Sequence, residues 1–131
     1  MPKIIFTNGC FDIIHRGHIE LLKYASSLGE KLIVGLNTDE SVRKNKGPER
    51  PYNTESDRKA VLESIRWVDE VVLFNEKTPI DLINIIKPDI IVKGSDYFAE
   101  DVVGKEIAKI VIFEKIDGLS TTKTIKNISN R

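Results

Sequence analysis

Five short apolar runs, rich in β-branched residues and spaced along the whole chain, constrain this sequence more than any other feature. They are Ile4-Ile5-Phe6, Leu32-Ile33-Val34-Gly35-Leu36, Val71-Val72-Leu73-Phe74, Ile90-Ile91-Val92 and Ile110-Val111-Ile112-Phe113. None alternates with polar residues. A strand with one wet face would alternate, so continuous runs of this length belong to strands buried on both faces, as in a parallel sheet covered by helices.

The intervals between the runs read as helices. Over 18–28, Leu21, Ala25 and Leu28 share a face, and Gly29 is expected as the C-terminal stop. Over 54–65, Val61, Leu62 and Ile65 form the stripe, with Thr54 and Asp57 placed like a capping box. Thr78-Pro79-Ile80-Asp81 reads as N-cap, N1 proline and acidic first turn of a helix reaching about Ile86, ended by Pro88. A last helix is expected from about Ser120, and the polar stretch 37–53 is expected to be the longest loop. Strands alternating with helices predict a doubly wound α/β sheet of five parallel strands with right-handed crossovers. The 131 residues suit one domain spanning 1–131.

In such sheets ligands bind beyond the carboxyl ends of the strands. That directs attention to the segments 7–17, 37–53, 75–79, 93–104 and 114–120. Charge narrows the partners further. Twenty basic residues balance twenty acidic ones, which argues against a general nucleic-acid or membrane-surface binder and leaves room for a local basic site. Cys10 is the sole cysteine, no apolar run reaches membrane-span length, and the N-terminus lacks signal-peptide anatomy. A reducing, cytoplasmic setting is the expectation.

The first of these segments holds both histidines of the chain, in His15-Arg16-Gly17-His18, between strand one and helix one. Two imidazoles three residues apart share one face of a helical turn. Gly17 permits close approach of a backbone or phosphate. A helix N-terminus offers free N–H groups to a phosphate chain. Two histidines make only half a zinc site, and no nearby Cys or Asp completes one, so no metal-ligating residues are assigned. Cys10 has no evident partner for nucleophilic work and reads as a small buried residue.

Three further clusters lie on the ligand edge. Gly118-Leu119-Ser120-Thr121-Thr122 places hydroxyls at a helix start, where plain capping and phosphate binding are both open. Arg43, Lys44, Lys46, Arg50 and Arg58 surround Gly47 in and after the long loop. A run of cations is ordinarily a solvated face; its position here favours closure over a triphosphate and a sugar phosphate. Lys93-Gly94-Ser95-Asp96-Tyr97 follows strand four, where Asp96 suits sugar hydroxyls and Tyr97 a stacked ring, or the segment is only a tight turn.

T-N-G-C-F-D-I-I-H-R-G-H followed by L-G-E-K-L-I-V-G-L-N-T-D-E-S-V resembles the cytidylyltransferase-like branch of the nucleotidyltransferases, and G-L-S-T-T is similar to that branch's second signature. Within it, K-G-P-E-R-P-Y-N, F-N-E-K-T-P-I-D-L-I and K-P-D-I-I-V-K-G-S-D-Y resemble the adenylyltransferases that form ADP-heptose. Lys115 stands where glycerol-3-phosphate cytidylyltransferases usually have arginine. The resemblance implies a Rossmann-like fold, Mg2+, and in-line attack of a substrate phosphate on a nucleoside triphosphate without a covalent enzyme intermediate. It implies that His15, His18, Lys44 and Lys46 are catalytic. Thr7, Asn8, Gly9, Phe11, Gly17, Lys93, Gly94, Asp96, Ser120, Thr121 and Thr122 would bind the nucleotide, and Asp12, Asp39 and Arg58 the acceptor. The expected reaction moves AMP from ATP to a sugar 1-phosphate, heptose 1-phosphate being favoured. The alternatives are a CTP-dependent enzyme acting on an alcohol phosphate such as glycerol 3-phosphate, and a non-catalytic nucleotide-binding module. A homodimer is expected from the family's habit.

Overall fold

The computed structural model describes residues 2–114. Its elements in chain order are β1 (Ile4–Gly9), α1 (Arg16–Ser27), β2 (Lys31–Asn37), α2 (Asp39–Lys46), α3 (Glu55–Glu63), β3 (Glu70–Phe74), α4 (Ile80–Ile86), β4 (Ile90–Gly94), a 3-10 turn (Ala99–Asp101) and β5 (Lys109–Phe113). All five apolar runs are strands. They form one sheet in the order β3-β2-β1-β4-β5, every neighbouring pair parallel. The Rossmann-like α/β expectation holds.

Both faces of the sheet are covered. On one, Ile5, Leu32, Val34 and Leu36 pack with Leu22 and Ala25 of α1 and Leu62 of α3. On the other, Phe6, Ile33 and Ile91 pack with Ile83 of α4 and Val102. Burial on both sides is why the strands carry no alternation. The chain runs outward from β1 to β2 and β3, then returns to the other side of β1 as β4. The switch point therefore lies between β1 and β4, where a ligand crevice is expected in this class of sheet.

Three local expectations need correction. The stretch 37–53 is not a plain loop, because Asp39–Lys46 is α2. Thr38 caps it by accepting the Ser41 N–H, Asp39 and Glu40 occupy the first turn, and Arg43, Lys44 and Lys46 lie in the last, each suiting the helix dipole. Thr78 does not cap α4; the N-cap is Pro79, and the helix closes at Lys87, with φ of 51°, just before Pro88. Gly29 is not a left-handed stop either. A Cβ there would lie 2.7 Å from the Lys3 carbonyl oxygen, so glycine is required by close passage of the chain. No helix among the described residues is long and apolar enough to cross a membrane. Ser120, Thr121, Thr122 and the last expected helix lie outside the described residues.

Candidate active site

The N-terminus of α1 is closed by its two histidines. His15 is the N-cap in extended conformation, and its Nδ1 accepts the Gly17 N–H at 3.0 Å. His18, at the third helical position, accepts the His15 N–H on its own Nδ1 at 3.1 Å. This is a capping box built from imidazoles where a hydroxyl and a carboxylate usually serve. The rings stack with centroids 4.0 Å apart. The arrangement has a chemical consequence. A nitrogen that accepts an N–H carries no proton, so each neutral ring bears its proton on Nε2, and the His15 Nε2 is buried. Both histidines line the same cleft.

That cleft, about 480 Å³, opens over the β1–β4 switch point. Its walls bring together Thr7, Asn8, Gly9, Phe11 and Asp12 after β1, Gly17 on α1, Lys46 on α2, and Lys93, Gly94 and Asp96 at the end of β4. Thr7 is nearly inaccessible, and its hydroxyl donates to the Val92 carbonyl at 2.8 Å, tying β1 to β4 beneath the cleft. Phe11 takes φ of 46°, a conformation rare for a bulky side chain, and tilts its ring against His18 with centroids 5.3 Å apart. Gly9 makes room for it, since a Cβ there would meet the Phe11 ring at 3.1 Å.

Lys93 is buried. Its Nζ donates to the Asn8 carbonyl at 3.1 Å and sits 4.5 Å from the Tyr97 ring centroid. Burial lowers its pKa to about 8 against the opposing pull of Asp96 and Cys10. Burial likewise raises the Cys10 thiol, despite Lys46, Arg58 and Arg50 nearby, which leaves it protonated and a poor nucleophile.

Asp12 is on the wall, yet its carboxylate is already filled. One oxygen accepts Arg50 Nε at 3.0 Å and the Tyr52 N–H at 2.7 Å; the other accepts the Asn53 N–H at 2.8 Å. Burial would raise its pKa, but these donors outweigh burial and hold the carboxyl below its ordinary value. The expected acceptor contact gives way to an anchor for the segment 50–53.

Three expected site residues stand apart from the cleft. Arg58 is 1% exposed, with Nε on the Asn53 carbonyl, Nη1 on the Cys10 and Asn37 carbonyls and Nη2 on Asp39, all at 2.7–2.9 Å. These contacts turn its donors inward, so it braces the first loop against β2 and α2 from behind, contrary to the expected phosphate contact. Asp39 is that arginine's partner, not a group on the cleft wall. Lys44 is exposed and paired with Glu40 at 3.6 Å one turn back, while Lys46 reaches the cleft.

Arg50, one of the cations expected to close over phosphates, lines the cleft, and so do Asn37, Asn45 and Lys77, which the sequence did not single out. Lys77 lies in the 75–79 segment that the ligand-edge rule had marked. Asn45 bridges to it through the Lys77 carbonyl at 3.1 Å.

The profile of the family described as cytidylyltransferase-like matches residues 6–130. The chain is 54% identical over 127 residues to the bifunctional protein HldE of Aliarcobacter butzleri, covering 96% of this chain and 27% of that protein. It is 51% identical over 130 residues to the bifunctional protein HldE of Campylobacter jejuni subsp. doylei, covering 98% and 28%. The chain thus spans little more than a quarter of the curated relatives it matches. Among solved structures, the lipopolysaccharide core biosynthesis protein of Thermoplasma volcanium superposes with a TM-score of 0.78 at 33% identity, over 89% of this chain and 100% of that one. The pantoate-beta-alanine ligase of Francisella tularensis shares the fold, with a TM-score of 0.63 at 19% identity, over 99% of this chain and 72% of that one.

Proposed function

This chain belongs to the cytidylyltransferase-like family, and on that premise we propose that it transfers AMP from ATP to a sugar 1-phosphate, heptose 1-phosphate in the first instance, releasing pyrophosphate. An oxygen of the acceptor phosphate attacks the α-phosphorus in line. The new P–O bond forms as the bond from the α-phosphorus to the bridging oxygen breaks, and that oxygen leaves on pyrophosphate with its electron pair. No side chain needs to become a nucleophile. The protein's task is positioning and charge stabilisation.

One observation carries this reading: the reciprocal caps hold the His15 and His18 rings stacked on the cleft wall, both as Nε2–H donors. Two fixed donors at a helix N-terminus suit non-bridging oxygens of an α-phosphate that gains charge at the transition state. Lys46 and Lys93 bring positive charge to the phosphates, and Lys44, two residues before Lys46 on α2, adds to the field. The reading also assigns Ser120, Thr121 and Thr122, which lie outside the described residues, to the triphosphate.

Magnesium belongs to this reading as an ion carried on phosphate oxygens and water. Among the described residues no three His, Cys, Asp or Glu side chains gather as a metal site, and Asp12 is filled by protein donors. When bound, the ion would neutralise triphosphate charge. A homodimer is part of the proposal, and light scattering of the purified chain checks it.

The test is pyrophosphate release with magnesium, crossing ATP and CTP against heptose 1-phosphate and glycerol 3-phosphate. Turnover with ATP and the heptose phosphate is expected. Turnover only with CTP overturns the substrate assignment and keeps the chemistry. No turnover in any combination overturns the enzymatic reading.

A further inference from the structure

Two arginines flank the first loop, and their bonding differs. Arg58 spends its guanidinium on three carbonyls and a carboxylate, facing inward. Arg50 is held by Nε alone, on Asp12 Oδ2 at 3.0 Å, and its guanidinium lies 5.1 Å from the Tyr52 ring centroid. Among the described residues, neither of its terminal nitrogens has a protein hydrogen-bond partner. The side chain is only 13% exposed, and it lines the cleft.

This is an expensive arrangement to keep without a ligand. A guanidinium is planar, and the edge opposite Nε presents two parallel N–H groups matched to two oxygens of a phosphate or carboxylate. Holding Nε fixes where that edge sits, so little rotamer freedom is left to lose on binding. Asp12, itself inaccessible, is pinned by the Tyr52 and Asn53 amides and cannot swing away. The same carboxylate thus sets the backbone at 52–53 and the aim of Arg50. Lys46 and Lys77 on the same walls add positive charge.

We infer that Arg50 is a substrate-phosphate clamp of this cleft, its two terminal nitrogens taking two oxygens of one phosphoryl group, and that Asp12 is the residue that positions it. The inference rests on the proposed reaction only for which phosphate that is, the acceptor's monoester or the triphosphate.

The experiment compares wild type, Arg50→Lys and Arg50→Ala. Lysine keeps a charge that can reach Asp12 but has no fork. Calorimetric titration with inorganic phosphate and with pyrophosphate gives a readout that needs no turnover, and thermal melts report folding. Steady-state KM for ATP and for the sugar phosphate, measured separately, identifies the source of the phosphate. Arg50→Lys is expected to melt like wild type and to weaken anion binding about 10- to 100-fold, the range for charge-assisted hydrogen bonds. KM for one substrate should rise by a similar factor, with a much smaller change in kcat. Equal anion affinity in wild type and Arg50→Lys overturns the inference. So do a fall in kcat with both KM values unchanged, and a wild type that binds neither anion. If no substrate pair turns over while anion binding still depends on Arg50, the proposed reaction fails and the clamp stands.

Discussion

His18 accepts the backbone N–H of His15 on Nδ1 at 3.1 Å while the two rings lie stacked 4.0 Å apart, so the residues proposed to stabilise the transition state also close the helix that carries them. Structure and chemistry share the same atoms, and a substitution must be chosen to separate them.

His15→Asn makes that separation. Asparagine is a strong N-cap, so its side-chain oxygen can replace Nδ1 as acceptor for the Gly17 N–H. Thermal stability should stay near wild type while turnover falls by about 10²–10³, the scale for losing one oxyanion donor. His15→Ala should lose both, with a capping cost of about 1 kcal/mol. Wild-type turnover in His15→Asn would remove this imidazole from the mechanism.

Arg58→Ala should damage the fold before it touches chemistry. It leaves the Asp39 carboxylate and three carbonyls without their shared donor in a site that is 1% exposed. The expected loss is about 3–5 kcal/mol, as for breaking a buried pair. Urea unfolding measures it. A loss below about 1 kcal/mol would place Arg58 among surface ion pairs instead.

Asp12 should make stability fall in acid. Its folded pKa is lowered: burial pushes up, but the Tyr52 and Asn53 N–H groups and Arg50 outweigh it. The unfolded state then binds the proton first as pH drops. The contribution is fully present above an ordinary carboxyl value of about 3.9 and is lost as pH falls through the lower folded value. Melting curves across the acid range, compared with Asp12→Asn, should show this component in wild type alone. Identical slopes would refute it.

Lys93 should shape the alkaline side. With its pKa lowered to about 8 by burial, its charge is complete only below that pH. Affinity for the triphosphate should decline as pH passes about 8, and kcat/KM with it. Lys93→Arg, which stays charged, should lack that limb. Stability should move the other way, rising between about 8 and the ordinary lysine value of 10.5, where the unfolded state binds more protons. A profile flat through this range would show that the charge on Lys93 is not needed.

Gly29→Ala tests the close passage by Lys3. Its Cβ would meet the Lys3 carbonyl oxygen at 2.7 Å and the Ile5 side chain at 2.9 Å. A loss of about 1–3 kcal/mol is expected, the usual scale for overpacking. Chemical denaturation with unchanged stability would mean that β1 and the end of α1 can part at little cost.

The sheet was legible because burial on both faces writes itself into sequence as unbroken apolar runs. Helix α2 was not, since only Ser41 and Val42 of its eight residues are buried and no stripe marks it. Its signals were of another kind, Thr38 before two acids and cations at the far end. His15 and His18 were legible because topology limits where ligands bind and both histidines lie there. Arg58, with its partner Asp39, gave no sign in sequence of the bracing role its contacts show. A cation that serves a ligand and one that serves backbone carbonyls look alike in sequence, because carbonyls leave no residue signature. Arg50 differs from Arg58 only in what its nitrogens touch.

Thr7 and Val92, and Asn8 and Lys93, are each joined across 85 positions of chain. The β1–β2 half of the sheet can form from local crossovers, but the seam between β1 and β4 closes only after a long loop has been brought round. A chain emerging from synthesis therefore has both histidines early and no complete cleft until β4 arrives. Nucleotide binding, on this geometry, reports that the distant β1–β4 pairing has been made, and saturating ligand should stabilise this seam along with the whole fold.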